Sequence, residues 1–149
     1  MTVRHVYNPN VATIDADADV LKAAVLMRQE HVGDLIVTET HDGKTRPIGV
    51  ITDRDIVVGV IARSAQASEI KVRDTVQRVL LTVHEDNGIS FALREMRRAG
   101  VRRAPVVDAK DGIVGVLAID DVIDHLASQL SDIAGIVRFQ QEVESKTRP

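Results

Sequence analysis

The sequence predicts a mixed α/β (α+β) fold of two pseudo-twofold-related repeats, each a small mixed sheet packed with two helices. Three observations point to it. The run Gly49-Val50-Ile51-Thr52-Asp53-Arg54-Asp55-Ile56 returns as Gly115-Val116-Leu117-Ala118-Ile119-Asp120-Asp121-Val122, shifted by 66 residues with glycine, valine and the last aspartate in register. Upstream, a shift of 69 residues pairs Val3-Arg4 with Val72-Arg73, Thr13 with Thr82, Asp17 with Asp86, Met27-Arg28 with Met96-Arg97, and Asp42-Gly43 with Asp111-Gly112. Within each copy the apolar spacing then gives the same order of elements: strand, helix, strand, strand, helix.

Taken in order, a short extended piece at residues 11–14 (80–83 in the second copy) precedes a helix. Its buried stripe is Val20, Ala23, Ala24 and Met27, then Ile89, Ala92, Leu93 and Met96, all at helical spacing. Asp15, Asp17 and Asp19 favour the start of the first helix, where acidic side chains meet the free N–H groups. Two strands flank each Asp-Gly pair, 35–38 with 48–52 and 104–107 with 113–118, because Asp-Gly between apolar runs is a hairpin signal. The first copy carries three extra residues after its glycine, and the expectation is that they lie in the turn. The closing helices carry Ile56, Val57, Val60 and Ile61, and Val122, Ile123, Leu126 and Leu130. The repeats are expected at 1–63 and 72–130, with 64–71 as the connection and 131–149 as a helical tail whose last residues, 142–149, are polar and frayed. A sheet with both helices on one side leaves its other face bare, so the two copies should pack face to face, with two symmetry-related clefts between them.

Composition narrows the function. At 149 residues the chain can bury a core without staples, and it has no cysteine, which excludes disulfides, thiolate metal sites and cysteine nucleophiles. No apolar stretch is long enough to span a bilayer and the N-terminus lacks a signal-peptide core, so a soluble cytoplasmic protein is expected, with no membrane partner. A net charge of −3 and only two Phe, one Tyr and no Trp make nucleic acid an unlikely partner, since stacking platforms are missing. Any planar ligand must lie between aliphatic side chains. Asp15-Ala16-Asp17-Ala18-Asp19 opens like a calcium loop but has Val20 where the glycine belongs and Leu26 where the glutamate belongs. The five histidines have no metal spacing, and no nucleophile, Walker lysine or dinucleotide glycine motif is present, so no enzyme is expected and no cofactor is required.

The strand ends at Thr13 and Thr82, the spacings Val32 to Val37 and Val101 to Val106, the run Arg103-Ala104-Pro105-Val106-Val107-Asp108, and Gly49-x-x-Thr52-x-x-Asp55 together resemble the cystathionine-β-synthase (CBS) domain in tandem, the Bateman module. The resemblance covers about residues 3–130. It implies a regulatory module that binds an adenosine compound (AMP, ADP, ATP or S-adenosylmethionine) between the repeats and signals through dimer or partner packing. It also implies a homodimer and some regulated protein in trans.

Under that resemblance, Asp55 is expected to hold ribose hydroxyls, while Thr52 and the helix start take a phosphate oxygen; capping of the helix is the competing role for both. Arg102 and Arg103 stand at the family's position for phosphate-binding bases, and guanidinium forks match phosphate geometry. The first copy has Gly33 and Asp34 there instead, and Asp34 would repel phosphate. One competent cleft is therefore expected, built from Thr52, Asp55, Arg102 and Arg103; the other has Asp121 but Ala118 in place of a hydroxyl. The alternative is a structural dimerisation or docking module with an empty cleft.

Overall fold

The computed structural model describes residues 1–76 and 81–148. The first sheet runs β1 (Thr13–Asp15), β2 (Asp34–His41), β3 (Lys44–Thr52), with β1 parallel and β3 antiparallel to β2. The second repeats that order and polarity with β4 (Val83–His84), β5 (Arg103–Val107) and β6 (Ile113–Ala118). Of the extended piece expected at 80–83, Leu80 lies outside the described residues. The helices are α1 (Val20–Glu30), α2 (Asp53–Gly59), the single turn α3 (Val72–Thr75), α4 (Ile89–Ala99) and α5 (Ile119–Thr147). Parallel strands need a crossover, which α1 and α4 supply. Asp19 starts α1 by accepting from Lys22 N at 2.7 Å, and Gly100 ends α4 in the left-handed region at φ 67°, where glycine carries no Cβ penalty.

Each repeat has its own core. Val20, Ala23 and Met27 face Leu35, Val37 and Ile51 in the first; Ile89, Ala92 and Met96 face Val106 and Leu117 in the second. The segment that precedes each repeat is exchanged. Val3 is fully buried in the second core and Val72 in the first. Val3 N and Arg4 N donate to Asn87 O and Glu85 O, while Val72 N and Arg73 N donate to Ala18 O and Ala16 O, the same bonds shifted by 69 residues. Arg4 then pairs with Asp86 at 2.7 Å and Arg73 with Asp17 at 2.9 Å. Each copy thus clasps the other.

The paired glycines mark where these segments cross the sheets. A Cβ on Gly49 would fall on the Val76 side chain, and one on Gly115 would fall on the Tyr7 ring and 2.6 Å from Asn8 O. Both hairpins have a register shift beside the glycine, with Ile48 and Val114 as the unpaired residues.

Three expectations are corrected. The three extra residues of the first copy lengthen the ladder rather than the turn: Thr38 to His41 pair with Pro47 to Lys44, leaving Asp42 and Gly43, both at positive φ, as a two-residue loop. The second copy closes with a wider loop held by Asp108, whose carboxylate accepts from Lys110 N and Gly112 N and is thereby held below its ordinary pKa. The first closing helix ends at Gly59, so Val60 and Ile61, expected on it, lie beyond it; of the apolar residues named for the two closing helices, Ile56, Val60 and Val122 are buried and Val57, Ile61, Ile123, Leu126 and Leu130 are exposed. Residues 142–147 are not frayed but continue α5, because Glu142, Glu144 and Lys146 are good helix formers and no proline intervenes before Pro149.

Candidate functional site

Thr52 ends β3 and caps α2. Its Oγ1 accepts from Asp55 N at 3.1 Å while Asp55 Oδ2 accepts from Thr52 N at 2.9 Å, a reciprocal capping box. The competing structural role of both residues is therefore occupied. Asp53 N donates to Gly33 O at 2.9 Å and Arg54 N to Asp53 Oδ1 at 2.7 Å. All three N–H groups from Asp53 to Asp55 are thus satisfied within the protein. The expectation that this helix start takes a phosphate oxygen meets no free backbone donor from Asp53 to Asp55, which leaves the Thr52 hydroxyl hydrogen for that role. Thr52→Ala is expected to cost about 1 kcal/mol in chemical denaturation without ligand, the usual worth of such a cap.

Beside this corner the start of β5 brings Arg102 and Arg103. A cleft of about 650 Å³ is lined by Gly33, Asp34, Val50, Thr52, Asp53 and Asp55 from the first repeat. Leu81, Ala99, Gly100, Val101, Arg102, Arg103 and Asp120 line it from the second. Its volume lies within the range of small-molecule sites. Thr52, Asp55, Arg102 and Arg103 therefore share one cleft. Asp121 does not reach it: it lines a smaller cavity of about 100 Å³ with Asn8, Val32, Val116 and Ala118. The adjacent Asp120 and Asp121 point into different spaces.

The sequence did not foresee how the arginines are engaged. Arg103 Nη1 lies 3.0 Å from Asp34 Oδ1, and Arg102 Nη2 lies 3.1 Å from Asp120 Oδ1. Asp34, expected to mark the poorer cleft, lines both cavities, as does its partner Arg103. Its side chain is 14% exposed, and burial raises its carboxyl above the ordinary range more than Arg103 lowers it, with Asp53 adding a further rise. Four carboxylates and two guanidiniums thus face the larger cleft. Neither Asp53 nor Asp120 was expected to line the cleft, although both sit in the repeated run that ends in the two helix starts. The aliphatic walls for a planar group are Val50, Leu81 and Val101. Among the described residues, no three His, Cys, Asp or Glu side chains are grouped to hold a metal, and no helix is long and apolar enough to cross a membrane.

The family model for the CBS domain matches residues 3–61 and 72–128. The chain belongs to the CBS family, as a tandem pair. CBS domains are generally regulatory. An uncharacterised protein of Methanopyrus kandleri is 27% identical over 146 residues, covering 96% of this chain and 72% of the relative. Hypoxic Response Protein I, solved with two coordinated zinc ions, superposes with a TM-score of 0.72 at 26% identity, covering 84% of this CBS pair and 98% of that chain. The CBS domain pair of protein MJ0100, solved with 5′-methylthioadenosine and S-adenosyl-L-methionine, gives a TM-score of 0.72 at 19% identity, covering 87% and 98%, a likeness of fold.

Proposed function

We propose that this CBS pair is a non-catalytic regulatory module that binds one adenosine-containing ligand in the larger cleft and passes its occupancy on through dimer or partner packing. The observation that carries the reading is the convergence of Thr52 and Asp55 with Arg102 and Arg103 on one cleft of ligand size between two repeats. In it the base lies between Val50, Leu81 and Val101, Asp55 holds the ribose hydroxyls, and the arginines meet the substituent at the 5′ carbon. AMP, ADP and ATP are one ligand class for it, and sulfur-linked adenosines of the kind bound by the MJ0100 pair are another.

Charge orders these candidates. Asp34, Asp53, Asp55 and Asp120 outnumber the two arginines, and each arginine already has a carboxylate partner. Every added phosphate therefore meets repulsion at close range. Affinity should fall from S-adenosylmethionine and methylthioadenosine through AMP to ATP. The test is thermal unfolding with each compound. A ligand at 100 times its dissociation constant adds about 2.7 kcal/mol to stability. No shift with any of them at millimolar concentration overturns the proposal and favours the docking module with an empty cleft, a reading supported by the internal pairing of both arginines.

A further inference from the structure

A third cleft, of about 460 Å³, shares no lining residue with the larger one and only Val11 with the smaller. Pro9, Val11, Ile113 and Val114 form its apolar walls, and Thr13, Thr38 and Thr45 bring three hydroxyls. Among the described residues that line it, none is charged.

Thr38 sets this cleft apart. At 7% exposed it is the one buried polar side chain among the described residues. Its Oγ1 donates to Ile14 O at 3.4 Å, well beyond the usual hydroxyl bond of about 2.7–2.8 Å, and its lone pairs meet no donor among the described residues. A buried hydroxyl so poorly bonded costs stability. The fold does not require it: the second copy has Val107 at that place, just past the same shift in register and 3% exposed. Thr45 has no counterpart either, since it lies in the part of the first ladder that the second lacks; its hydroxyl stands 2.9 Å from that of Thr40. Two departures of the first copy from the second, a threonine for a valine and a longer hairpin, thus fall on one cleft.

We propose that this cleft binds an uncharged small molecule carrying a primary amide on an apolar ring, independently of the adenosine ligand. A charged ligand would leave water with no opposite charge to meet it, whereas the apolar walls accept a ring. Thr38 spends its hydrogen on Ile14 O, so its oxygen is left to accept and the ligand must bring a donor. An amide NH2 supplies that donor, and the amide carbonyl takes the hydrogen of a second threonine in the cleft.

NMR of threonine methyl groups reads the cleft directly. Benzamide and nicotinamide at millimolar concentration should shift the Thr38 and Thr45 methyl signals saturably and leave that of Thr52, in the larger cleft, in place. Benzoate and nicotinate have the same shapes with a charge, and should bind at least about tenfold more weakly. Read at Thr45, Thr38→Val should weaken both amides about tenfold, while Thr38→Ser, which restores a hydroxyl, should keep them. Urea denaturation should find Thr38→Val at least as stable as wild type. No shift at Thr38 with either amide, equal binding of the acids, undiminished binding to Thr38→Val, lost binding to Thr38→Ser, or a Thr38→Val protein less stable than wild type would each overturn the proposal.

Discussion

Gly115→Ala is expected to lower stability by about 3 kcal/mol, and Gly49→Ala by only about 1 kcal/mol, although the two glycines hold equivalent places in the repeats. At Gly115 the new Cβ meets a backbone atom, Asn8 O at 2.6 Å, as well as the Tyr7 ring. Asn8 and Val116 exchange two backbone hydrogen bonds, at 2.9 and 3.0 Å, so the segment cannot move aside without stretching both. Overpacking costs about 1–3 kcal/mol and each strained bond about 1 kcal/mol. At Gly49 the obstacle is the Val76 side chain alone, which can change rotamer. Urea denaturation of the two variants measures the difference; equal midpoints would mean that the Tyr7–Asn8 segment yields freely.

Asp34→Asn is expected to raise affinity for AMP about tenfold. Two unit charges 4 Å apart interact by about 4 kcal/mol at an effective dielectric of 20. Solvent at the cleft mouth reduces this to about 1.4 kcal/mol, which is tenfold. Neutralising the carboxylate also weakens the hold on Arg103, whose 3.0 Å ion pair becomes an ordinary hydrogen bond to an amide oxygen. The same logic gives a pH dependence. Burial raises the Asp34 carboxyl, so between its ordinary and raised pKa the folded state holds the proton and the unfolded state does not. In that window its contribution to stability falls as pH rises, and wild-type affinity for AMP should rise as pH falls. Calorimetry of wild type against Asp34→Asn isolates the effect, because the titration of the ligand's own phosphate is common to both. A wild type and variant with parallel pH profiles would remove Asp34 from the ligand's surroundings. Asp17 and Glu39 run the other way: Arg73 lowers both, and the stability they add is lost as pH falls through their depressed values.

How far the sequence reached depended on whether a feature was local. The order of elements followed from apolar spacing repeated twice, and the hairpins followed from Asp42-Gly43 and Asp111-Gly112. The three extra residues of the first copy were confined between Gly43 and Gly49, but a count cannot tell a longer loop from a longer ladder. Helical spacing marked Ile123, Leu126 and Leu130 as one face without saying what covers it. The glycines were legible as a repeat and illegible as a cause, because Tyr7 and Val76 reach them from segments far along the chain. At the cleft, Thr52, Asp55, Arg102 and Arg103 could be named once the repeats were set against the CBS pattern they resemble. The pairing of Asp34 with Arg103 could not, since it joins two residues 69 apart that meet only where the copies abut.

The exchange of leading segments bears on the order in which the chain can assemble during synthesis. Val3 is translated long before Val83, Leu117 and Val122, whose side chains enclose it, and the first core waits for Val72. Neither half can be finished on the ribosome without part of the other. Severing the chain between residues 61 and 72 should therefore yield two fragments that fold only when they meet, and the nascent first half must stay soluble with an empty slot until the second emerges.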